Sequence, residues 1–150
     1  MAEMMTAVAK LEAGMRFEGE AGSGHYVSLD ASENSGGNNA GFRPMELLLV
    51  GLAGCTGMDV ISILRKKRQE VTGYEVHVQA VRAETHPMVF EEITVEHIIT
   101  GHHIDHEAVR RAIELSEQRY CGAGAMLGKV AALRHMYCIV EAEIPALTEA

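Results

Sequence analysis

The stretch that most restricts the fold is PMELLLVGLAGCTGMDVISILRKKRQ, residues 44–69. Pro44 suits a first helical turn, where its missing N–H costs nothing. Glu46 falls near the positive end of the helix dipole and Arg65-Lys66-Lys67-Arg68 at the negative end. The spacing therefore predicts one helix from about Pro44 to about Gln69. Its middle is apolar nearly all round, which predicts burial on most sides. The uncharged run from Leu47 to Met58 is shorter than the roughly 20 residues a bilayer requires. A core helix is expected, and not a membrane span. Gly51, Gly54 and Gly57 each cost about 0.8–1 kcal/mol against alanine. Close approach of another backbone is the usual compensation.

Residues 6–12, 15–20 and 25–30 read as short antiparallel strands, with a turn at Gly22-Ser23-Gly24. Residues 33–43, ENSGGNNAGFR, read as a loop. After the long helix, residues 71–84 and 89–100 alternate as a hairpin turning at His86-Pro87. Asp105 looks like an N-cap, and Val109, Ala112, Ile113, Ser116 and Tyr120 trace one helical face. Cys121-Gly122-Ala123-Gly124 interrupts that helix. A shorter helix is expected over 125–133 and a strand over about 135–143, before a loose tail. The pattern is α+β, an antiparallel sheet with segregated helices, in one domain over residues 1–150. Three short strands cannot cover so apolar a helix, so an extensive homodimer is expected.

The formal net charge of −8 argues against nucleic acid as a partner and supports no anionic membrane surface. The basic run at 65–68 reads as a solvated helix end. Residues 1–10 lack a basic-then-apolar leader, and three cysteines, an odd number, suit a reducing compartment. A cytoplasmic location is expected. The nine methionines imply an adaptable, polarisable core.

Cys55 sits among the helix glycines and reads either as a small buried hydrophobe or as a reactive thiol. Cys121 follows one helix and precedes another, where donated N–H groups and the dipole favour a thiolate; the alternative reading is a thiol that simply packs at a helix break. Cys138, in MYCIV, reads as core. Two cysteines on separate helices could form a peroxide-reducing pair. One thiolate attacks the O–O bond and becomes a sulfenic acid. The other condenses with it to a disulfide, and an outside dithiol resets the pair.

The runs PMELLLVGLAGCTGMDVISILRKKRQEV, HPMVF and LSEQRYCGAGAML resemble the OsmC/Ohr family, most of all its YhfA-type branch. The resemblance spans about residues 8–142. It implies antiparallel sheets wrapped around two central helices in an intertwined homodimer. It also implies reduction of organic hydroperoxides by two cysteines, without metal or other cofactor, using dithiols such as lipoyl groups. On matching positions Cys55 is the attacking thiol and Cys121 the resolving one. Arg16, in GMRFEGE, falls where the family arginine stabilises the thiolate. The family carboxylate that holds this arginine directly follows the proline, and here that position is Met45. Glu46 is one residue on, turned by 100° on a helix.

Asp59 lies one turn after Cys55 on nearly the same face. A carboxylate there disfavours a thiolate unless it is partnered. Arg16 of a second subunit could serve both Cys55 and Asp59; alternatively Asp59 is paired elsewhere or solvated. His102, His103 and His106 precede a helix and read as exposed turn residues more readily than as a metal site. The expectation is thiol-dependent reduction of a small apolar hydroperoxide in a methionine- and leucine-lined pocket. The alternative is a binding or stress protein of the same fold without peroxidase activity, which Met45 supports.

Overall fold

The structure is a computed structural model and describes residues 1–143 and 147–150. The expected loose tail begins at residues outside that description. Two compact units are distinguished, Met1–Leu48 and Leu49–Ala150, and each is described by itself.

The first unit is the expected meander. Strands β1 (Ala7–Ala13), β2 (Arg16–Ala21) and β3 (Tyr26–Leu29) pair antiparallel in that order. The loop after β3 carries a short 3₁₀ turn, Glu33–Ser35, and is organised by Asp30. This carboxylate is 3% exposed. It accepts the N–H groups of Ala31 at 2.8 Å and of Asn38 and Ala40 at 3.1 Å. Those bonds, Ala40 foremost, hold the Asp30 carboxyl below its usual range against the cost of burial. The loop then delivers the chain to Pro44.

Helix α1 (Pro44–Lys66) starts there. Glu46 Oε1 accepts the Arg43 N–H at 2.7 Å, which is the N3 half of a capping box. At the far end Gln69 N–H bonds Leu64 O and Arg68 N–H bonds Arg65 O, both at 3.0 Å. Arg68 holds the left-handed position with φ 57°. This pattern is a Schellman close, and it ends the helix three residues before the expected Gln69. At 23 residues the helix is long and apolar enough by length and composition alone to cross a membrane; the twelve-residue count from Leu47 understated it.

In the second unit α1 buries Leu52, Thr56, Val60 and Leu64. This single i, i+4 stripe packs against α2 (His106–Leu115) and a sheet of β4 (Glu70–Arg82), β5 (Phe90–His102) and β6 (Ala132–Glu141). Burial on most sides was expected, yet Val50 is 53% and Met58 73% exposed. Among the described residues of the second unit, no element covers that side.

β4 and β5 form the expected hairpin, but β6 runs parallel to β5. The expectation of a wholly antiparallel sheet is corrected here. β5 and β6 are joined by a helical crossover, the kind of connection that parallel neighbours need. Asp105 caps α2 as expected, its Oδ1 accepting the Glu107 N–H at 3.1 Å. The second helix of the crossover, α3, spans Gly122–Leu127 and not 125–133. Cys138 is exposed on the outer face of β6, because the alternation turns its neighbours Tyr137 and Ile139 inward.

Candidate active site

One irregularity brings the cysteines to one place. α2 does not continue to Tyr120 in regular form. Ser116–Tyr120 is a π turn, closed by the Cys121 N–H bonding Ser116 O at 2.8 Å. Such widened turns favour functional sites. This one leaves Tyr120 56% exposed and ends the buried face at Ser116. It also sets Cys121 as the N-cap of α3, its Sγ accepting the Gly124 N–H at 3.2 Å. The second cysteine comes from α1, where Cys55 is half-buried beside the Thr56 stripe. Cys55 and Cys121 are neighbours, near enough for Cys55 to raise the Cys121 pKa, and both are free thiols.

Cys121 is 4% exposed. Burial pushes its thiol up to about 11, and the adjoining Cys55 and the charge of Asp59 act in the same direction. The Gly124 N–H opposes them and loses. The expectation that a helix N-terminus would favour a Cys121 thiolate is therefore corrected: desolvation exceeds one donated hydrogen bond. Cys121 is a neutral thiol at pH 7.

Asp59 belongs to the same cluster. The Ser116 hydroxyl donates to Asp59 Oδ2 at 2.9 Å, and Thr56 Oγ1 lies 2.8 Å from Ser116 Oγ. With Ser116 committed to the carboxylate, Thr56 is the donor to Ser116. Both hydroxyl residues are fully buried, so the chain Thr56–Ser116–Asp59 ties α1 to the end of α2. Asp59 thus has a hydroxyl partner, as the alternative reading of the sequence allowed.

Arg16 opens β2 opposite Ala13 and is half-buried; it makes no ion pair among the described residues. Glu46 has its carboxylate on the Arg43 N–H. Arg43 in turn donates to Gly41 O at 3.2 Å and Asn39 Oδ1 at 2.8 Å.

Among the described residues none of the three glycines meets another backbone, and Gly57 alone has a close neighbour, which is a side chain. A Cβ there would sit 3.3 Å from Val76 Cγ2 on β4, whereas Gly51 and Gly54 face open space. Gly54 and Gly57 flank a groove of about 460 Å³, with Met58, Ile61, Tyr74 and Val76. The groove is mostly apolar, with Arg65 and Thr72 as its polar members and no leucine.

One constellation went unread in the sequence. Tyr74 Oη lies 2.6 Å from His97 Nδ1, and His97 Nε2 lies 2.9 Å from His135 Nδ1. His97 is fully buried. Burial, with a smaller contribution from His135, lowers its pKa to about 3. His135 is lowered too, by burial against the opposing charge of Glu117. Burial first, then the Asp59 charge, raises Tyr74. The available signal was position: His97 occupies the inward phase of β5 between Val95 and Ile99. Among the described residues no three His, Cys, Asp or Glu side chains are grouped to hold a metal ion. His103 N–H bonds the Glu141 carboxylate and His106 lies 3.3 Å from Tyr137 Oη.

A class is defined by these features: an α+β protein whose paired thiols come from a glycine-bearing apolar helix and a π-turned helix end. Residues 36–135 match the model of the OsmC-like protein family, and the chain belongs to that family. Protein YhfA of Escherichia coli K12 is 39% identical over 138 residues, which are 92% of this chain and 100% of that one. A crystal structure of a hypothetical protein from Aquifex aeolicus VF5 is 30% identical with a TM-score of 0.83, over 95% of this chain and 100% of that one. An organic hydroperoxide resistance protein from Elizabethkingia anophelis shares the fold at 15% identity and a TM-score of 0.65, over 95% and 99% of the two chains.

Proposed function

We propose that the protein is a homodimeric thiol peroxidase that reduces small apolar organic hydroperoxides in the cytoplasm. The observation that carries this reading is the meeting of Cys55 and Cys121 from separate helices. In the proposed cycle the Cys55 thiolate attacks the distal peroxide oxygen. The alcohol leaves and Cys55 becomes a sulfenic acid. Cys121 then condenses with it, releasing water, and a dithiol, lipoyl groups among them, reduces the disulfide. A Cys121 neutral at pH 7 suits the resolving role, since a second thiolate beside Cys55 would oppose the first. Arg16 of a second subunit is proposed as the guanidinium that stabilises the Cys55 thiolate, and Asp59 as its carboxylate in place of the residue that Met45 replaces. Glu46 remains a second candidate for that carboxylate. The apolar groove beside α1 suits a greasy substrate over hydrogen peroxide.

The dimer is supported by surface that the single chain leaves bare. Among the described residues, a Cβ at Gly51 or Gly54 would meet nothing within 4 Å, and Val50 and Met58 are exposed on the same helix. The second reading, a binding or stress protein without peroxidase activity, is favoured by Met45 alone. The two separate in an assay of tert-butyl hydroperoxide consumption with dihydrolipoamide. The peroxidase reading expects Cys55→Ser and Cys121→Ser to lose turnover; equal rates in all forms would establish the second reading.

A further inference from the structure

Tyr74, His97 and His135 stand on β4, β5 and β6 in a diagonal row. His97 is in register with Val76 and with Tyr137, whereas Tyr74 pairs with Ile99 and His135 with Val95. Each polar member is thus two residues from direct register, on the buried face of the sheet. Both ring nitrogens of His97 are engaged, at 2.6 and 2.9 Å. The row begins at the apolar groove, which Tyr74 lines. It ends at a second pocket of about 280 Å³, lined by His135 together with Cys121, Glu117, Gly124 and Lys129. A structural role would require only that the polar atoms be satisfied. The ends of the row, however, open on the two cavities that border the cysteine-bearing elements.

We propose that His135 is the base that takes the proton of Cys121 during disulfide formation, and that Tyr74 and His97 are positioning residues that fix its tautomer. This rests on the peroxidase reading above. His97 stays neutral, so it carries one ring proton and the row has two possible directions. The charges facing the row decide between them. Asp59, half-buried, acts at the Tyr74 end. Glu117 acts at the His135 end but is exposed, and its field is screened by solvent. Lys129, also exposed, lines the same pocket. The hydrogens therefore point toward Asp59: His135 Nδ1–H donates to His97 Nε2, and His97 Nδ1–H to Tyr74 Oη. His135 Nε2 then carries the lone pair on the edge away from His97. Its lowered pKa keeps it unprotonated at pH 7, whereas Cys121 at about 11 needs a base.

The step balances within the site. Across the pocket that both residues line, Nε2 takes the Cys121 S–H proton by way of one water, and the freed sulfur pair attacks the sulfur of Cys55–SOH. The S–S bond forms as the S–O bond breaks, the bonding pair leaving with hydroxide. Hydroxide takes the proton back from His135 as water. Cys121 is oxidised, Cys55 is reduced, and His135 returns to its starting state.

The test is single-turnover oxidation of the reduced full chain by one equivalent of tert-butyl hydroperoxide. Dimedone trapping and mass spectrometry follow sulfenic acid and disulfide separately, from about pH 6 to about pH 9. Wild type is expected to resolve at a rate nearly flat above neutral pH. His135→Gln is expected to form sulfenic acid normally but to resolve at least about tenfold more slowly at neutral pH. Its rate should climb with pH as hydroxide substitutes for the base, and added imidazole should restore part of it. Tyr74→Phe, which keeps the ring, should slow resolution and steepen the pH profile in the same sense. Resolution by both variants within about twofold of wild type and with its pH profile would overturn the base and leave the peroxidase reading standing. A wild type that never yields Cys55 sulfenic acid would overturn the peroxidase reading and the base with it.

Discussion

Holding His97 neutral in the core ties the stability of the protein to pH. Its folded pKa is about 3 against 6.5 for an ordinary imidazole, so on acidification the unfolded chain binds the proton first. Its contribution is complete above the unfolded value and is lost as pH falls from 6.5 toward 3. At pH 7 the unfolded chain gains almost nothing from this proton, and at pH 5 it gains about 2 kcal/mol, a loss of about that size for one side chain. Against a domain stability of about 5–15 kcal/mol this is readily measured. His135, lowered in the same direction, adds to the slope. Asp30 acts in a different window: its depressed carboxyl contributes above about pH 4 and is lost only below that. The assay is urea denaturation at pH 7, 6 and 5, with chain concentration fixed because the stability of the proposed dimer would depend on it. His97→Gln should be less stable at pH 7 yet lose less between pH 7 and pH 5. A wild type whose midpoint is flat over that range would refute the reasoning, as would a His97→Gln protein that loses as much as wild type.

Ser116→Ala leaves the buried Thr56 hydroxyl and the Asp59 carboxylate short of a partner, and a destabilisation of about 1–3 kcal/mol is expected by chemical denaturation. Glu46→Ala should cost about 0.5–1 kcal/mol through the lost cap while leaving peroxide turnover unchanged, and Glu46→Gln should recover the stability. Turnover lost in both would give Glu46 the catalytic carboxylate role. Gly51→Ala and Gly54→Ala should each favour the isolated helix by about 0.8–1 kcal/mol, but on the proposed dimer they should weaken association in analytical ultracentrifugation. Unchanged association would refute a close approach at these glycines.

The elements were legible wherever local chemistry decided them. Alternation marked the first three strands and the hairpin, Pro44 and the basic run bracketed α1, and Asp105 marked the start of α2. The parallel placement of β6 was not legible, because strand direction depends on which edge of the hairpin a crossover reaches. The π turn was missed because nothing in SEQRY distinguishes a five-residue step from the regular one; its effect is to end the buried face at Ser116 and deliver Cys121. The thiol pair was found by resemblance and not by spacing. Asp59 was found by spacing on one helix, but its Ser116 partner required tertiary structure. The shift at Cys121 went the other way from expectation because burial cannot be read from a helix boundary. His97 was readable in principle, as a histidine in the inward phase of an apolar strand, but its two partners come from other strands.

The central claim, that Cys55 and Cys121 act as one redox pair, is tested most directly by peptide mapping. The reduced protein is treated with one equivalent of an organic hydroperoxide and digested without reductant. The account predicts a Cys55–Cys121 linked peptide within a single chain, with Cys138 still free. Cys55 carried on to sulfinic acid with Cys121 unmodified, or a disulfide that leaves either of them out, would contradict it.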